Sequence, residues 1–338
     1  MTGPPRAEQA CRDALRACLS GEGLQSQHLL VACSGGPDSV ALALAAAFVV
    51  PRLGGTVGAS VVDHRLQPGS ETVAQQAAQT CSELGLSPVR VDVAEVAPGS
   101  TGPEDAARTA RFAALRRGAA AQGAVAVLLG HTRDDQAEQV LLGLLRGSGG
   151  RSLSGMPPAR AFGHTDHPRR PALRLLRPFL GVSRRATVQA CQTAGLPTWA
   201  DPHNRDAEFT RVRVREVLTD LEAGLGQDLR PALARTADLL RADGEALDQI
   251  SDRAYDELGF PPWPVEAVLA HPAAVRTRLW RRMALEAGVP GSSLAAVHLR
   301  AVDALVSDWH GQGAVDLPGH RRVHREDGVI WLRDRRGG

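Results

Sequence analysis

The sequence predicts an α/β protein: a parallel sheet with helices on both faces, followed by a smaller, mainly helical C-terminal domain. Three observations carry this prediction. Short apolar runs alternate with longer helix-like segments through roughly the first half of the chain, the pattern of strand–helix–strand units. Polar residues follow directly on three of those runs, where open parallel sheets hold their ligands. From Glu216 onward leucines recur at helical spacing, and the strand signal fades until the last residues.

Taken in order, residues 1–27 hold a short amphipathic helix (Cys11, Leu15, Cys18, Leu19) that packs on the first domain. The predicted strands are His28–Cys33, Thr56–Asp63, Pro88–Val93 and Val125–Gly130. The predicted helices are Pro37–Val50, Glu71–Leu84, Pro103–Gln122 and Asp134–Arg146. Residues 147–171 are rich in Gly, Pro, Ser and Arg and read as a long loop, functional or mobile. A fifth strand, Ala172–Pro178, and a helix, Arg184–Ala194, come next. Glu216–Asp256 reads as a helical linker and Val265–Val306 as helical. Val315 and Leu317, then Val329, Ile330 and Leu332, mark two short strands. The expected domains are a catalytic domain over 1–215, the linker over 216–256 and a C-terminal domain over 257–338.

Composition narrows the function classes. The 338 residues suggest about two domains, and 43% hydrophobic content supplies ample core. The net charge of +2 does not by itself announce nucleic acid. Every cationic side chain is Arg, so no Lys nucleophile, Schiff base or phosphate-loop Lys is available, and the planar Arg fork must meet phosphate instead. None of the five Cys forms Cys-x-x-Cys, which removes zinc-finger and iron–sulfur spacings. With no signal-peptide pattern, a cytoplasmic protein is expected. The longest apolar run, Val40–Val50, is too short to span a membrane, and no membrane partner is expected.

The stretch Leu29-Leu-Val-Ala-Cys-Ser-Gly-Gly-Pro-Asp-Ser39 reads as buried strand, turn and helix start. Ser34 is placed to cap the helix, and Pro37 suits its first position. Gly35 and Gly36 let the backbone approach a ligand and leave amides for an anion at the positive end of the helix dipole. Asp38 would repel phosphate unless Mg²⁺ bridges the two. The loop looks like the pyrophosphate loop of N-type ATP pyrophosphatases, which split ATP into AMP and pyrophosphate.

Three further constellations stand out. Gly130-His-Thr-Arg-Asp-Asp-Gln-Ala-Glu138 opens a helix on which Asp135 and Glu138 share a face, with His131 at its mouth. A metal site, a pocket for a cationic amine, and first-turn acids favoured by the helix dipole are all open readings. In Ala107–Phe112, Arg108 and Arg111 are three apart, and a buried Arg near phosphates would stabilise departing pyrophosphate; two solvated arginines is the stronger reading of that block alone. The Gly-rich run Arg146–Met156 carries Arg146 and Arg151, and Trp199–Arg215 concentrates Arg205, Arg211, Arg213 and Arg215, a plausible phosphate-contacting surface. Arg276, Arg278, Arg281 and Arg282, with Arg321, Arg322 and Arg325, would extend it or simply solubilise the domain.

In order and spacing, Ser34–Ser39, Asp63-His64, Ala107–Phe112, Gly130–Met156 and Trp199–Arg215 resemble the tRNA(Ile)-lysidine synthetase family, over roughly residues 28–218. The resemblance implies a Rossmann-like, adenine nucleotide alpha hydrolase-like catalytic domain and a tRNA-binding C-terminal domain. It implies adenylation of the C2 oxygen of the wobble cytidine in a tRNA(Ile) with a CAU anticodon, then displacement of AMP by the ε-amine of free L-lysine. ATP would be bound by Ser34, Gly35, Gly36, Pro37, Asp38, Ser39, Asp63, His64, Arg111 and His131, with Mg²⁺ at Asp38. Lysine would be bound by Asp135 and Glu138, and tRNA by Arg146, Arg151, Arg205, Arg211 and Arg215. Asp38, Arg111, Asp135 and Glu138 would be catalytic. A homodimer is left open. The chain departs from the family pattern at Arg65, Gln67, Gln139, Phe209 and Val212. The rival activities are tRNA thiolation by the same adenylation logic, another adenylating enzyme of the superfamily, and a non-catalytic nucleotide-sensing RNA-binding protein.

Overall fold

The computed structural model describes residues 5–63, 65, 69–95, 103–147, 149–162, 172–200 and 210–335. Contacts divide the chain into two compact units, Met1–Leu240 and Arg241–Gly338. The first unit runs α1 (Arg6–Gly21), β1 (His28–Ala32), α2 (Pro37–Arg52), β2 (Thr56–Asp63), α3 (Ser70–Glu83), β3 (Val89–Val93), α4 (Pro103–Gln122), β4 (Ala126–Leu128), α5 (Arg133–Leu145), α6 (Gly150–Leu153), β5 (Ala159–Ala161), β6 (Arg174–Leu176), α7 (Arg184–Thr193) and α8 (Thr210–Leu225), and α9 (Leu229–Leu258) begins in it. The predicted elements up to α7 appear with ends within two residues of those expected.

The strands form one six-stranded sheet in the order β3-β2-β1-β4-β6-β5. All pairs are parallel except β5 with β6, so the sheet is mixed at one edge. That edge strand, and the single turn of α6, lie inside the stretch expected to be one loop. Three residues of Ala-Arg-Ala carry too little apolar pattern to announce a strand. Alternate residues of the central strands feed opposite faces. Leu29, Val31, Leu128 and Leu176 join the core under α1, α2 and α7, whereas Leu30, Val127 and Leu175 join Leu115 and Ala119 of α4 on the other side. Both faces are therefore dry, as a parallel sheet requires.

The order reverses between β1 and β4, whose carboxyl ends open side by side. Gly130, just past β4, passes so close to the start of α2 that a Cβ there would lie 2.8 Å from the Asp38 carbonyl oxygen and 3.1 Å from the Ser39 nitrogen.

Glu216–Asp256 is not one helix: α8 ends at Leu225 and α9 starts at Leu229. The division between units falls inside α9.

The second unit continues α9 and adds β7 (Trp263–Pro264), α10 (Val265–Leu269), α11 (Ala273–Glu286), α12 (Ala296–Ser307), β8 (Val315–Leu317), β9 (Arg321–Glu326) and β10 (Val329–Asp334). Its strands form an antiparallel sheet, β7-β10-β9-β8, rather than two short strands. Strand β9 hides in the sequence because it reads Arg-Arg-Val-His-Arg-Glu, with only Val323 buried. The signal for it is Asp327-Gly328, both at positive φ, the residues that close a two-residue hairpin. The core is aromatic: Trp263 stacks on Trp280 at 5.4 Å and meets Tyr255 edge-on at 5.6 Å. Trp280 donates its indole N–H to Asp303 at 2.8 Å, and Arg276 clamps the same carboxylate with two bonds of 2.8 Å.

Burial pushes the Asp303 carboxyl up, but Arg276 and Trp280 outweigh it and hold the group below the usual carboxylate range. Its stabilising contribution is present above the unfolded-state value, near 4, and is lost as pH falls through the folded one. Asp303→Ala should cost this unit about 2–4 kcal/mol by denaturant unfolding and should flatten the acid limb of its stability curve.

Candidate active site

The turns after four parallel strands build the site. After β1, helix α2 begins at Gly36 with no side-chain cap. Ser34 does not cap it, contrary to expectation. Instead the Ser39 hydroxyl accepts from the Ser34 N–H at 3.1 Å and donates to the Gly36 carbonyl at 2.9 Å, folding the loop on itself. Pro37 does occupy the first turn. Gly35 sits at φ +80°, where a side chain would be strained, and its carbonyl accepts from the Trp199 N–H at 2.9 Å. Trp199 therefore braces the anion loop. At the end of β2, buried Asp63 accepts from the Arg65 N–H at 3.0 Å. His64 lies outside the described residues.

After β4, Thr132 caps α5. Asp135 accepts from the Thr132 N–H at 2.7 Å and from its hydroxyl at 2.8 Å, completing a capping box. After β6, Ser183 caps α7 by accepting from the Ala186 N–H, and Arg184 is the first helical residue.

Arg184 joins three of these turns, those after β1, β4 and β6. Its Nη2 donates to Asp135 at 2.6 Å, its Nε to Asp38 at 3.3 Å, and its Nη1 lies 3.6 Å from Glu138. Its backbone N–H donates to Asp134 at 2.8 Å. Thr187, one turn on, donates its hydroxyl to the other oxygen of Asp38. Glu138 also accepts two bonds from Arg215 of α8, at 2.7 and 3.4 Å. Three of the predicted acids are thus held around one guanidinium that the sequence reading missed. The signal was available: the strand–turn–helix logic that singled out β1 and β4 applies equally to β6.

The charges are tuned by this packing. Burial pushes the Asp38 carboxyl up against the opposing pull of Arg184 and Thr187. Burial acts the same way on Asp135, but Arg184 and the hydrogen bonds from Thr132 overcome it and hold the group below the usual range. Arg184 itself is half-buried, which favours losing its proton, yet the surrounding acids raise it further above its ordinary value. His131 accepts from the Arg177 Nε at 3.2 Å on its Nδ1, so the neutral ring carries its proton on Nε2. Burial, with Arg177, Arg111 and Arg108 nearby, drives it down to about 3. Arg111 is pushed down to about 10 by burial beside Arg108 and Arg211.

The expected RNA-facing arginines separate. Arg215 is spent on Glu138, while Arg211 stands one turn earlier on α8. Arg146 and Arg151 are exposed at the end of α5 and in α6, and Arg205 lies outside the described residues. In the second unit Arg276, Arg278, Arg282, Arg321 and Arg322 each pair with a carboxylate. Arg325 lies over the Trp309 ring at 4.9 Å.

A family model described as a PP-loop domain matches residues 7–222, and one described as the TilS substrate binding domain matches residues 264–331. A tRNA(Ile)-lysidine synthase of Thermobifida fusca is 50% identical over 98% of both chains. That of Streptomyces coelicolor is 49% identical, covering 90% of this chain and 85% of the relative. That of Salinispora tropica is 48% identical over 97% and 96%. Among solved structures, a U34-tRNA thiolase from Methanococcus maripaludis with its [4Fe-4S] cluster superposes with a TM-score of 0.55 at 16% identity, covering 69% of this chain and 79% of that one. At that identity the likeness speaks for the fold alone. No helix among the described residues is long and apolar enough to cross a membrane.

Two outcomes follow from this geometry. Gly130→Ala should push its methyl into the backbone of the anion loop, costing about 1–3 kcal/mol and weakening ATP binding by calorimetry. Labelled histidine should show no titration of His131 between pH 8 and 5 by NMR. In that window the unfolded chain binds a proton that the folded one refuses, so stability should fall as pH drops below about 6.5.

Proposed function

The chain belongs to the tRNA(Ile)-lysidine synthase family and is an ATP-dependent ligase that forms lysidine on tRNA(Ile), and on that premise we propose how the reaction is divided among its residues. ATP lies with its phosphates at the loop Ser34–Ser39, facing the uncapped start of α2, within reach of Asp63 and His131. The wobble cytidine of the CAU anticodon attacks the α-phosphorus through its C2 oxygen, and the bond to pyrophosphate breaks. The ε-amine of free L-lysine then attacks C2. The C2–oxygen bond breaks, AMP leaves, and the amine gives up a proton.

One observation carries this division. The Arg184 guanidinium is held 2.6–3.6 Å from Asp135, Asp38 and Glu138, so the site is already built to hold a cation against the phosphate loop. A lysine ammonium has the same charge and shares those acids with Arg184. Asp135, kept ionised, anchors the ammonium. Glu138 takes the proton, with Arg215 fixing both of its oxygens. Arg111 is a half-buried cation for the charge that develops on pyrophosphate. Neutral His131 offers its Nε2–H to a phosphate or ribose oxygen.

The donor set fits Mg²⁺. Each Asp38 oxygen accepts one hydrogen bond, from Arg184 and from Thr187, and keeps a lone pair, and Mg²⁺ needs only one or two carboxylates when phosphates complete its shell. When bound, the ion would neutralise phosphate charge beside Asp38. The reaction would take place in the cytoplasm, where charged substrates of this kind are kept.

Incubation with ATP, Mg²⁺, labelled lysine and tRNA(Ile) tests the scheme. Label should enter the RNA and AMP should be released, and both should vanish in Asp38→Ala. Asp135→Asn should raise the KM for lysine by about tenfold or more with a smaller change in kcat, because a charge-assisted contact is worth about 1.5–3 kcal/mol. AMP release without labelled RNA would sink lysine as the nucleophile.

A further inference from the structure

Arg177, the residue after β6, is almost fully buried, at 4% exposure. Its Nε donates to His131 Nδ1 at 3.2 Å, its Nη1 to the Pro157 carbonyl at 2.8 Å, and its backbone N–H to the Pro158 carbonyl at 2.8 Å. The segment that offers those carbonyls is itself fixed to α5. Buried Gln136 donates to the Met156 carbonyl at 3.1 Å and accepts from the Met156 N–H at 2.7 Å. The Arg177 side chain is thus held in place, with one N–H delivered to a single atom of the imidazole.

The chemistry of that contact is one-sided. A bare imidazole nitrogen accepts, and once protonated it can only donate; a guanidinium has five N–H donors and no lone pair to accept with. The contact at Nδ1 therefore survives only while His131 is neutral. Protonation would bring two cations and two N–H donors face to face in a buried place. The pull towards protonation comes from Asp135 on α5, a carboxylate close enough to favour a charged ring. The other charged groups that act on the ring are Arg177 and, from α4, Arg111 and Arg108, all of which oppose a further positive charge. Of these, Arg177 is the one hydrogen-bonded to it among the described residues. Asp135 accordingly accepts from Thr132 and Arg184 rather than from the ring.

We propose that Arg177 is a positioning residue for the lysine step: as a donor that cannot accept, it occupies Nδ1, keeps the His131 ring neutral, and so leaves the Asp135 carboxylate to the substrate ammonium. Without it, an imidazolium would form beside Asp135 by taking a proton from water and would compete with lysine for that acid. This rests on the reading in which Asp135 anchors lysine, and adds to it a residue that acts through another.

The test uses the full chain. NMR of ring-labelled histidine follows His131, and initial rates at saturating ATP and tRNA(Ile) give the KM for lysine, both between pH 8 and pH 6. Arg177→Gln puts an amide where Nε stands, and an amide can turn its carbonyl to accept. His131 should then take up a proton at Nδ1 in that window. The KM for lysine should rise about tenfold more on going to pH 6 than in the unmodified chain, with a smaller change in kcat. Adding His131→Gln should remove that extra rise. Arg177→Lys, again a cation that only donates, should keep the ring neutral and the pH profile of the unmodified chain. A ring that stays neutral in Arg177→Gln would overturn the proposal, as would a protonated ring with an unmoved KM, or a loss of activity equal at both pH values, the mark of a structural role. Protonation of the ring in Arg177→Lys would overturn it as well, whether or not Arg177→Gln folds. Failure of the unmodified chain to attach lysine would instead strike the functional reading beneath it, since the NMR measurement needs neither lysine nor RNA.

Discussion

The ionic knot around Arg184 is the constraint on which the site depends. Asp38, Asp135 and Glu138 come from helices that follow two different strands, and Arg184 comes from a helix that follows a third. Bringing three carboxylates this close in a partly buried place is untenable without compensation, because each would be driven to take up a proton. One planar cation with several donors solves this in a way that a point charge could not.

Backbone closeness sets the rest. The sheet reverses its order between β1 and β4, and the two neighbouring turns pass so close that a Cβ on Gly130 would meet the backbone of α2. Gly130 makes that approach possible, and Gly35 turns the chain where Trp199 can brace it. The loop is held by backbone and hydroxyl bonds within it and by the Trp199 N–H, and no side chain caps the start of α2.

Arginine serves two opposite ends in this chain. In the second unit most of the arginines that look like an RNA surface in the sequence pair with aspartates and glutamates, and the Arg276–Asp303 pair ties to Trp280 of the core. In the first unit, Arg108, Arg160, Arg177 and Arg211 line one cavity, and among the described residues that line it there is no carboxylate. Because the chain contains no Lys, counting cations cannot distinguish these cases; only their neighbours can.

Local grammar was enough to read the strand–turn–helix units, the Gly-Gly turn between β1 and α2, the pairing of Asp135 with Glu138 on one face, and the family. These depend on residues a few positions apart, whose spacing and chemistry are visible along the chain. Other features depend on contacts between distant segments and were not legible. Arg184 is 146 residues from Asp38, and Arg215 is 77 from Glu138. Strand β9 is polar because only one of its residues faces the core, so its identity comes from its partners β8 and β10. Edge strand β5 is three residues long and exists only because β6 is beside it. A charge's role is set by what stands opposite it, and folding alone brings those opposites together.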